Sequence, residues 1–149
     1  MIIEILQADT QSIHKVVECF DLYRQFYGQE SDRKACEAFL SERQASFESI
    51  VLYAQNKDGD VLGFTQLYPT FSSLSLRRDL ILNDLYVHEK ARGQGVAKKL
   101  LTAARDHGKK MNSKGLLLET DILNAKAQSL YESFGFERET DHYFYYLTI

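Results

Sequence analysis

The run Leu85-Tyr86-Val87-His88-Glu89-Lys90-Ala91-Arg92-Gly93-Gln94-Gly95-Val96-Ala97-Lys98-Lys99 holds the residues best suited to chemistry. An apolar, strand-like stretch ends at Val87, a short charged loop carries Arg92, Gly93 and Gly95, and an amphipathic pattern opens at about Gly95. A glycine-bearing turn into a helix start can hold an anion, because free backbone N–H groups converge there at the positive end of the helix dipole. Glycine lets the backbone approach a phosphate with no Cβ in the way. Between His88 and Lys99 the cations Lys90, Arg92, Lys98 and Lys99 oppose only Glu89, which suits a phosphate-bearing ligand. Two common phosphate loops do not fit. Gly95 is followed by Val96-Ala97 rather than by Lys-Ser/Thr, and there are two glycines where a dinucleotide fingerprint needs three. Taken alone, the loop reads equally well as an ordinary glycine-bearing connection.

The acids and bases closest to this loop in the predicted topology are Asp84, Glu119 and Tyr131. Tyr131 falls on the apolar stripe of its helix, where plain core packing would explain it, yet a buried tyrosine hydroxyl needs a partner. No nucleophile elbow, HExxH or Ser-His-Asp pattern stands out, and His14, His88, His107 and His142 are scattered over surface or strand-end positions. Cys19 and Cys36 form no CxxC and read as small core residues, which points to a reducing cytoplasm and away from a structural zinc site. No metal is expected.

Positioning these groups takes a chain of 149 residues, 44% hydrophobic with one proline, enough for a single domain over 1–149. No apolar run approaches the roughly 20 residues of a membrane span, and the N-terminus lacks the marks of a signal peptide. A net charge of −3 argues against nucleic acid as a partner. The pattern predicts a strand over 2–6, then a helix capped by Thr10 and running to about Tyr27, with Ile13, Val16, Val17, Phe20 and Tyr23 inward. A second helix follows over 31–45 with Cys36, Phe39 and Leu40 inward. Strands over 50–54 and 61–68 flank the hairpin turn Asn56-Lys57-Asp58-Gly59. The strand over 79–87 carries Leu80 and Leu82 in even phase but Leu85 and Val87 in odd phase. A β-bulge at Asn83-Asp84 would reconcile them, as would burial of both faces. After the loop, Val96, Ala97, Leu100, Leu101 and Ala104 mark the inner face of a helix. A buried strand over 115–120 then implies a right-handed parallel crossover. Asn124 caps a short helix with Ala127, Leu130, Tyr131 and Phe134 on one face, and Gly135 stops it. Phe136 and the run from His142 to Ile149 give one or two closing strands.

Arg92-Gly93-Gln94-Gly95-Val96-Ala97 resembles the Arg/Gln-x-x-Gly-x-Gly/Ala loop of the GNAT N-acetyltransferases. Asp84-Leu85-Tyr86-Val87 just before it and Asn124-x-x-Ala127-x-x-x-Tyr131-x-x-x-Gly135-Phe136 after the next strand are similar to that family too. The resemblance covers roughly Asp79 to Phe136; the first half agrees in element order, and Gly63 to Val87 is most similar to members that acetylate small amines and diamines. It implies an α/β fold: a three-layer α/β/α sandwich whose mixed, mostly antiparallel sheet of 6–7 strands splays between two parallel central strands. It implies acetyl-CoA as co-substrate. The pyrophosphate would lie on the amides of Gln94, Gly95, Val96, Ala97 and Lys98, beside Arg92 and Gly93. The pantetheine arm would run beside Leu85, Tyr86 and Val87 with a hydrogen bond from Asn124. Direct attack by a neutral amine would form an oxyanion met by a strand N–H, at Val87, and Tyr131 would protonate the leaving thiolate. Members with a known base often have Glu one position before the Asp84 equivalent. Asn83 stands there in this chain and cannot serve, which leaves Asp84 or a water chain.

The acceptor is less legible. From Glu18 to Glu48 the acids Glu18, Asp21, Glu30, Asp32, Glu37, Glu42 and Glu48 outnumber the bases Arg24, Arg33, Lys34 and Arg43. In the family those helices border the acceptor site. A net acidic rim would favour a small cationic amine such as a polyamine, although a solvated helix face reads the same way. A protein lysine or N-terminal acetyltransferase, a donor longer than acetyl and a non-catalytic acyl-CoA-binding module are the competing readings. Many members are homodimers, and Tyr143-Phe144-Tyr145-Tyr146 would pack across an interface or form an inner strand.

Overall fold

A computed structural model describes residues 2–149. Its contacts fall into two compact units, residues 1–119 and 120–149, each described here by itself. The first is a layered α/β unit. Strands β1 (Ile3–Gln7), β2 (Ile50–Asn56), β3 (Val61–Ser72), β4 (Arg77–Val87) and β5 (Ser113–Leu117) form one sheet in the order β1-β2-β3-β4-β5. The first four are antiparallel neighbours and β5 runs parallel to β4. Helices α1 (Val17–Phe26) and α2 (Arg33–Ala45) cover one face. There Phe20, Cys36 and Leu40 pack on Val51, Tyr53 and Phe64. Helix α3 (Val96–Lys110) covers the other, with Val96 and Leu100 against Ala54 and the half-buried Leu85 and Val87. The predicted inner stripe of α3 holds: Val96, Leu100, Leu101 and Ala104 are buried and Ala97 is half-buried.

The phase defect in the fourth strand is a bulge. Gln66 pairs with Asp84 but the next residue, Leu67, pairs with Leu82, so Asn83 is the inserted residue. The insertion keeps Leu80, Leu82, Leu85 and Val87 on the α3 side and turns Asp84 and Tyr86 toward α1 and α2. Two side chains bond to carbonyls at the insertion. The Tyr23 hydroxyl donates to Asn83 O at 3.3 Å, and Thr65 Oγ1 donates to Asp84 O at 2.8 Å.

Several boundaries differ from the sequence expectation, for local reasons. Asp9, not Thr10, caps the turn that leads into the first helix: Asp9 Oδ1 accepts from the N–H groups of Gln11 and Ser12 at 2.9 Å each, and Ser12 Oγ accepts from Asp9 N. The helix opens as a 3₁₀ turn over Ile13–Val16 before α1. Helix α2 starts at Arg33 instead of residue 31, with Asp32 as its cap accepting from Ala35 N at 3.0 Å while the Ser31 hydroxyl is committed to Asp21. Asp21 is buried. It takes hydrogen bonds from Ser31 Oγ at 2.6 Å, Asp32 N at 2.8 Å and Gln25 Nε2 at 3.0 Å, which hold its carboxyl below the usual range although burial alone would raise it. That carboxylate ties α1 to the start of α2.

The second unit contains α4 (Ala125–Phe134). Asn124 Oδ1 accepts from Ala127 N at 3.1 Å, and Gly135 ends the helix at φ +120° with Phe136 N donating to Tyr131 O. Ala127, Leu130, Tyr131 and Phe134 form its half-buried face, and the Tyr131 and Phe136 rings meet edge to face at 5.7 Å. The expected closing strands are absent: no strand forms over 136–149, and the sheet of the described residues has five strands rather than six or seven. Tyr143, Phe144, Tyr145 and Tyr146 lie exposed, so their alternating, aromatic character finds no strand partner to satisfy it.

Candidate active site

The edge of β4 away from β3 changes character along its length. Pairing with β5 runs from Arg78 to Ile81 and stops there, while β4 continues to Val87. Beyond the bulge no strand of the first unit's described residues pairs with that edge. His88 N donates to Leu62 O at 2.8 Å, so the alternation of an antiparallel ladder turns the N–H and C=O of Val87 to the open edge. Arg92 Nε already donates to Val87 O at 3.1 Å, and its guanidinium lies over the Tyr86 ring at 5.7 Å. Gly63 lets β3 press against this strand end, since a Cβ there would meet Tyr86 O at 2.6 Å.

The open edge leads into the glycine loop. A 3₁₀ turn over Glu89–Ala91 buries Ala91, and Gly93 and Gly95 then take left-handed conformations, φ +75° and +78°. Residues with a Cβ rarely adopt that region, which explains the glycines directly. Gly95 is the N-cap of α3, and no side chain caps this helix end. Lys99 N closes the first helical bond to Gly95 O, leaving the N–H groups of Val96, Ala97 and Lys98 at the dipole's positive end beside the exposed Gln94. Arg92 N donates to Glu89 O at 3.4 Å, so Arg92 braces the loop.

The opposite face of the bulge opens into a cavity of about 440 Å³, a size that suits a small ligand. Phe20, Tyr23, Phe39 and Tyr68 wall it; Arg24, Asn83 and Asp84 supply its polar and charged groups. Asp84 is 2% exposed. Its carboxylate accepts from Asn83 Nδ2 at 2.7 Å and from Gln66 Nε2. Burial raises its pKa above the ordinary carboxylate value, against the lowering effect of its bonds from Gln66 and Asn83. Burial and the charge of Asp84 raise the tyrosines in turn, Tyr68 to about 12 and Tyr23 further, which keeps both hydroxyls protonated as donors.

The structure therefore brings together Asp84, Leu85, Tyr86, Val87, Arg92 and the loop Gly93 to Lys98 within the first unit. Asn124 and Tyr131 belong to the second, where Asn124 caps α4. Reading the letters misses Tyr23, Arg24, Gln66 and Tyr68. Tyr23 reads as a core residue and Arg24 as one charge on a helix face. Gln66 carried the available signal, an amide alternating with Phe64 and Tyr68 on a strand whose neighbours are apolar.

A family model described as the acetyltransferase (GNAT) family matches residues 16–136. The chain belongs to the GNAT family. It is 45% identical over 145 residues, 97% of each chain, to the uncharacterized N-acetyltransferase YhfO of Bacillus subtilis. It is 31% identical over 134 residues, 90% of each chain, to a probable acetyltransferase of Haemophilus influenzae. A crystal structure of a probable acetyltransferase superposes with a TM-score of 0.92 at 39% identity, covering 98% of this chain and 97% of that one. The α/β GNAT fold and the N-acetyltransferase class rest on these matches together with the five-stranded mixed sheet. Among the described residues no helix is long and apolar enough to cross a membrane.

Proposed function

We propose that this GNAT chain moves the acetyl group of acetyl-CoA to the nitrogen of a primary amine, acceptor and donor bound together. The observation that carries this reading is the bulge in β4. It sets the Asp84 carboxylate facing an aromatic cavity on one side, while the strand beyond it offers an open edge that runs to the uncapped start of α3. The residues fit the donor. The N–H groups of Gln94 to Lys98 and the Cβ-free Gly93 and Gly95 suit a pyrophosphate, and the open edge at Leu85, Tyr86 and Val87 suits an amide-bearing arm.

When bound, acetyl-CoA supplies an acyl carbon activated as a thioester. Asp84, directly or through water, accepts the proton that an ammonium acceptor must shed, its raised pKa bringing it closer to the operating pH. The Val87 N–H would meet negative charge on the carbonyl oxygen, a role that its turn toward the open edge supports. Family position gives Asn124 a hydrogen bond to the arm and Tyr131 the proton that the departing sulfur takes up. A homodimer accompanies this reading, supported by the exposed aromatic run Tyr143 to Tyr146.

Thiol release from acetyl-CoA in the presence of a panel of primary amines tests the reading. Tyr131→Phe should lower kcat about 10²-fold or more with acetyl-CoA affinity nearly intact. An unchanged rate would remove Tyr131 from the mechanism. Absence of thiol release with every amine, acetyl-CoA binding retained, would leave a binding module instead of an enzyme.

A further inference from the structure

The charged side chains lining the cavity are one carboxylate, Asp84, and one guanidinium, Arg24. Arg24 is half-buried in the last turn of α1 and makes no ion pair among the described residues. Its side-chain contact is Nη1 to Cys36 Sγ at 4.0 Å. That thiol is a weak acceptor and no counter-ion: burial holds its pKa up, and it donates to Asp21 Oδ1 at 3.6 Å. The acids of the surrounding helices are largely engaged elsewhere. Asp21 is filled by Ser31, Gln25 and the amide of Asp32; Glu18 pairs with Arg33; Glu42 and Glu48 share Arg43. A position near the end of a helix accounts for a cation there. It does not account for one that lines a cavity with several N–H donors lacking an acceptor.

A ligand complementary to this cavity has an amine at one end and an anionic group at the other, joined by an apolar body for the aromatic walls. We propose that the acceptor is a primary amine that also bears a carboxylate, an amino acid or a molecule built like one, with its nitrogen toward Asp84 and its carboxylate on the Arg24 guanidinium. This rests on the acetyl-transfer reading above and selects among its acceptors. A planar guanidinium fork matches a carboxylate in shape and charge. The same cation opposes the second ammonium of a diamine or polyamine, so the site discriminates by repulsion as well as attraction.

The test compares matched acceptors: an α-, a β- and a γ-amino acid, each beside the amine that lacks its carboxylate. In the wild type, kcat/KM should favour the carboxylate-bearing member of at least one pair about tenfold or more. In Arg24→Ala that preference should fall about 10- to 100-fold, through KM, and Arg24→Lys should restore part of it. Arg24→Gln replaces the alanine variant if the latter does not fold, with the acetyl-CoA-induced rise in Tm reporting an intact fold. If amines are acetylated but the decarboxylated members are preferred, or the ratio does not move in the Arg24 variants, the inference is wrong and acetyl transfer stands. Acetyl-CoA binding with no small amine acetylated overturns it as well. If acetyl-CoA does not bind either, the acetyl-transfer reading fails along with it.

Discussion

At Asp84 the amide of one buried neighbour is set against the carboxylate. Gln66 is fully buried, and its Nε2 donates to the carboxylate while its Oε1 has no partner. Turning the amide over would offer Oε1 to a protonated carboxyl, but it would move Nε2 to the place where Oε1 now has no partner, so the protonated state costs a donor its acceptor. Asp84→Asn can use the turned amide, its new N–H group donating to Gln66 Oε1 while Asn83 still donates to its oxygen, at the cost of leaving the Gln66 Nε2 group without an acceptor. This variant should fold and lose about 10²- to 10⁴-fold in kcat/KM. Its stability should depart from wild type in a pH-dependent way. A folded-state pKa above the unfolded value means the native protein binds the proton more tightly. Stability from this site is then complete in acid, below the unfolded pKa, and is lost as pH rises through the folded one. Thermal melts in acid and at neutral pH should therefore show the variant gaining on wild type as pH rises. A gap that closes in the opposite direction would mean that the native carboxylate is stabilised, and Asp84 would be a poor base.

At the scale of elements the bulge in β4 aims Asp84, and we propose that it also opens the gap beyond the last pair with β5, Ile81 and Leu117. Deleting Asn83 separates the two. A regular ladder would put Leu82 and Asp84 next to each other opposite Leu67 and Gln66, with the facing of both unchanged. Stability should then stay within about 2 kcal/mol, the loss of the Tyr23 bond to Asn83 O being set against a repaired ladder. Acetyl-CoA affinity should fall about tenfold or more if the bulge is what keeps the edge of β4 beyond Ile81 free for the arm. Equal affinity in calorimetry would show that the bulge does not open the gap. This feature was legible in the letters, since a two-phase apolar pattern within one strand has few structural solutions. So were the glycine loop, the inner face of α3 and the hairpin turn, where Asn56 Oδ1 accepts from Asp58 N and Asp60 N. Helix caps were less legible. Asp9, Thr10 and Ser12 are all competent caps, and only three-dimensional hydrogen bonding chooses Asp9. The cavity was hidden for a different reason. Its walls come from α1, α2, β3 and β4, so Tyr23, Arg24 and Tyr68 meet through tertiary packing that no local period records. The tail misled because β-propensity describes a residue's fit to a sheet and cannot supply the neighbouring strand.

At the scale of the whole molecule, function depends on the sheet presenting two different surfaces at one strand. The α1–α2 layer walls the cavity proposed for the acceptor with aromatic contacts, Phe20 being stacked on Phe39 at 5.9 Å and edge-on to Phe64 at 5.9 Å. The α3 layer instead fixes a helix start, anchored by Val96 and Leu100, at the end of the open edge. A donor bound along that edge and across the loop would touch β4, the 3₁₀ turn and α3 at once. Its binding energy should accordingly appear as global stability, since a ligand that binds only the native state raises Tm by mass action. At about 100 times its Kd, acetyl-CoA should add roughly 2.7 kcal/mol, which in a chain of this length is a rise of roughly 5–10 °C. Free CoA, which keeps the pyrophosphate and the pantetheine arm, should give most of that rise. A melt unmoved by either at millimolar concentration would mean that the left-handed glycines and the uncapped start of α3 are only a connection.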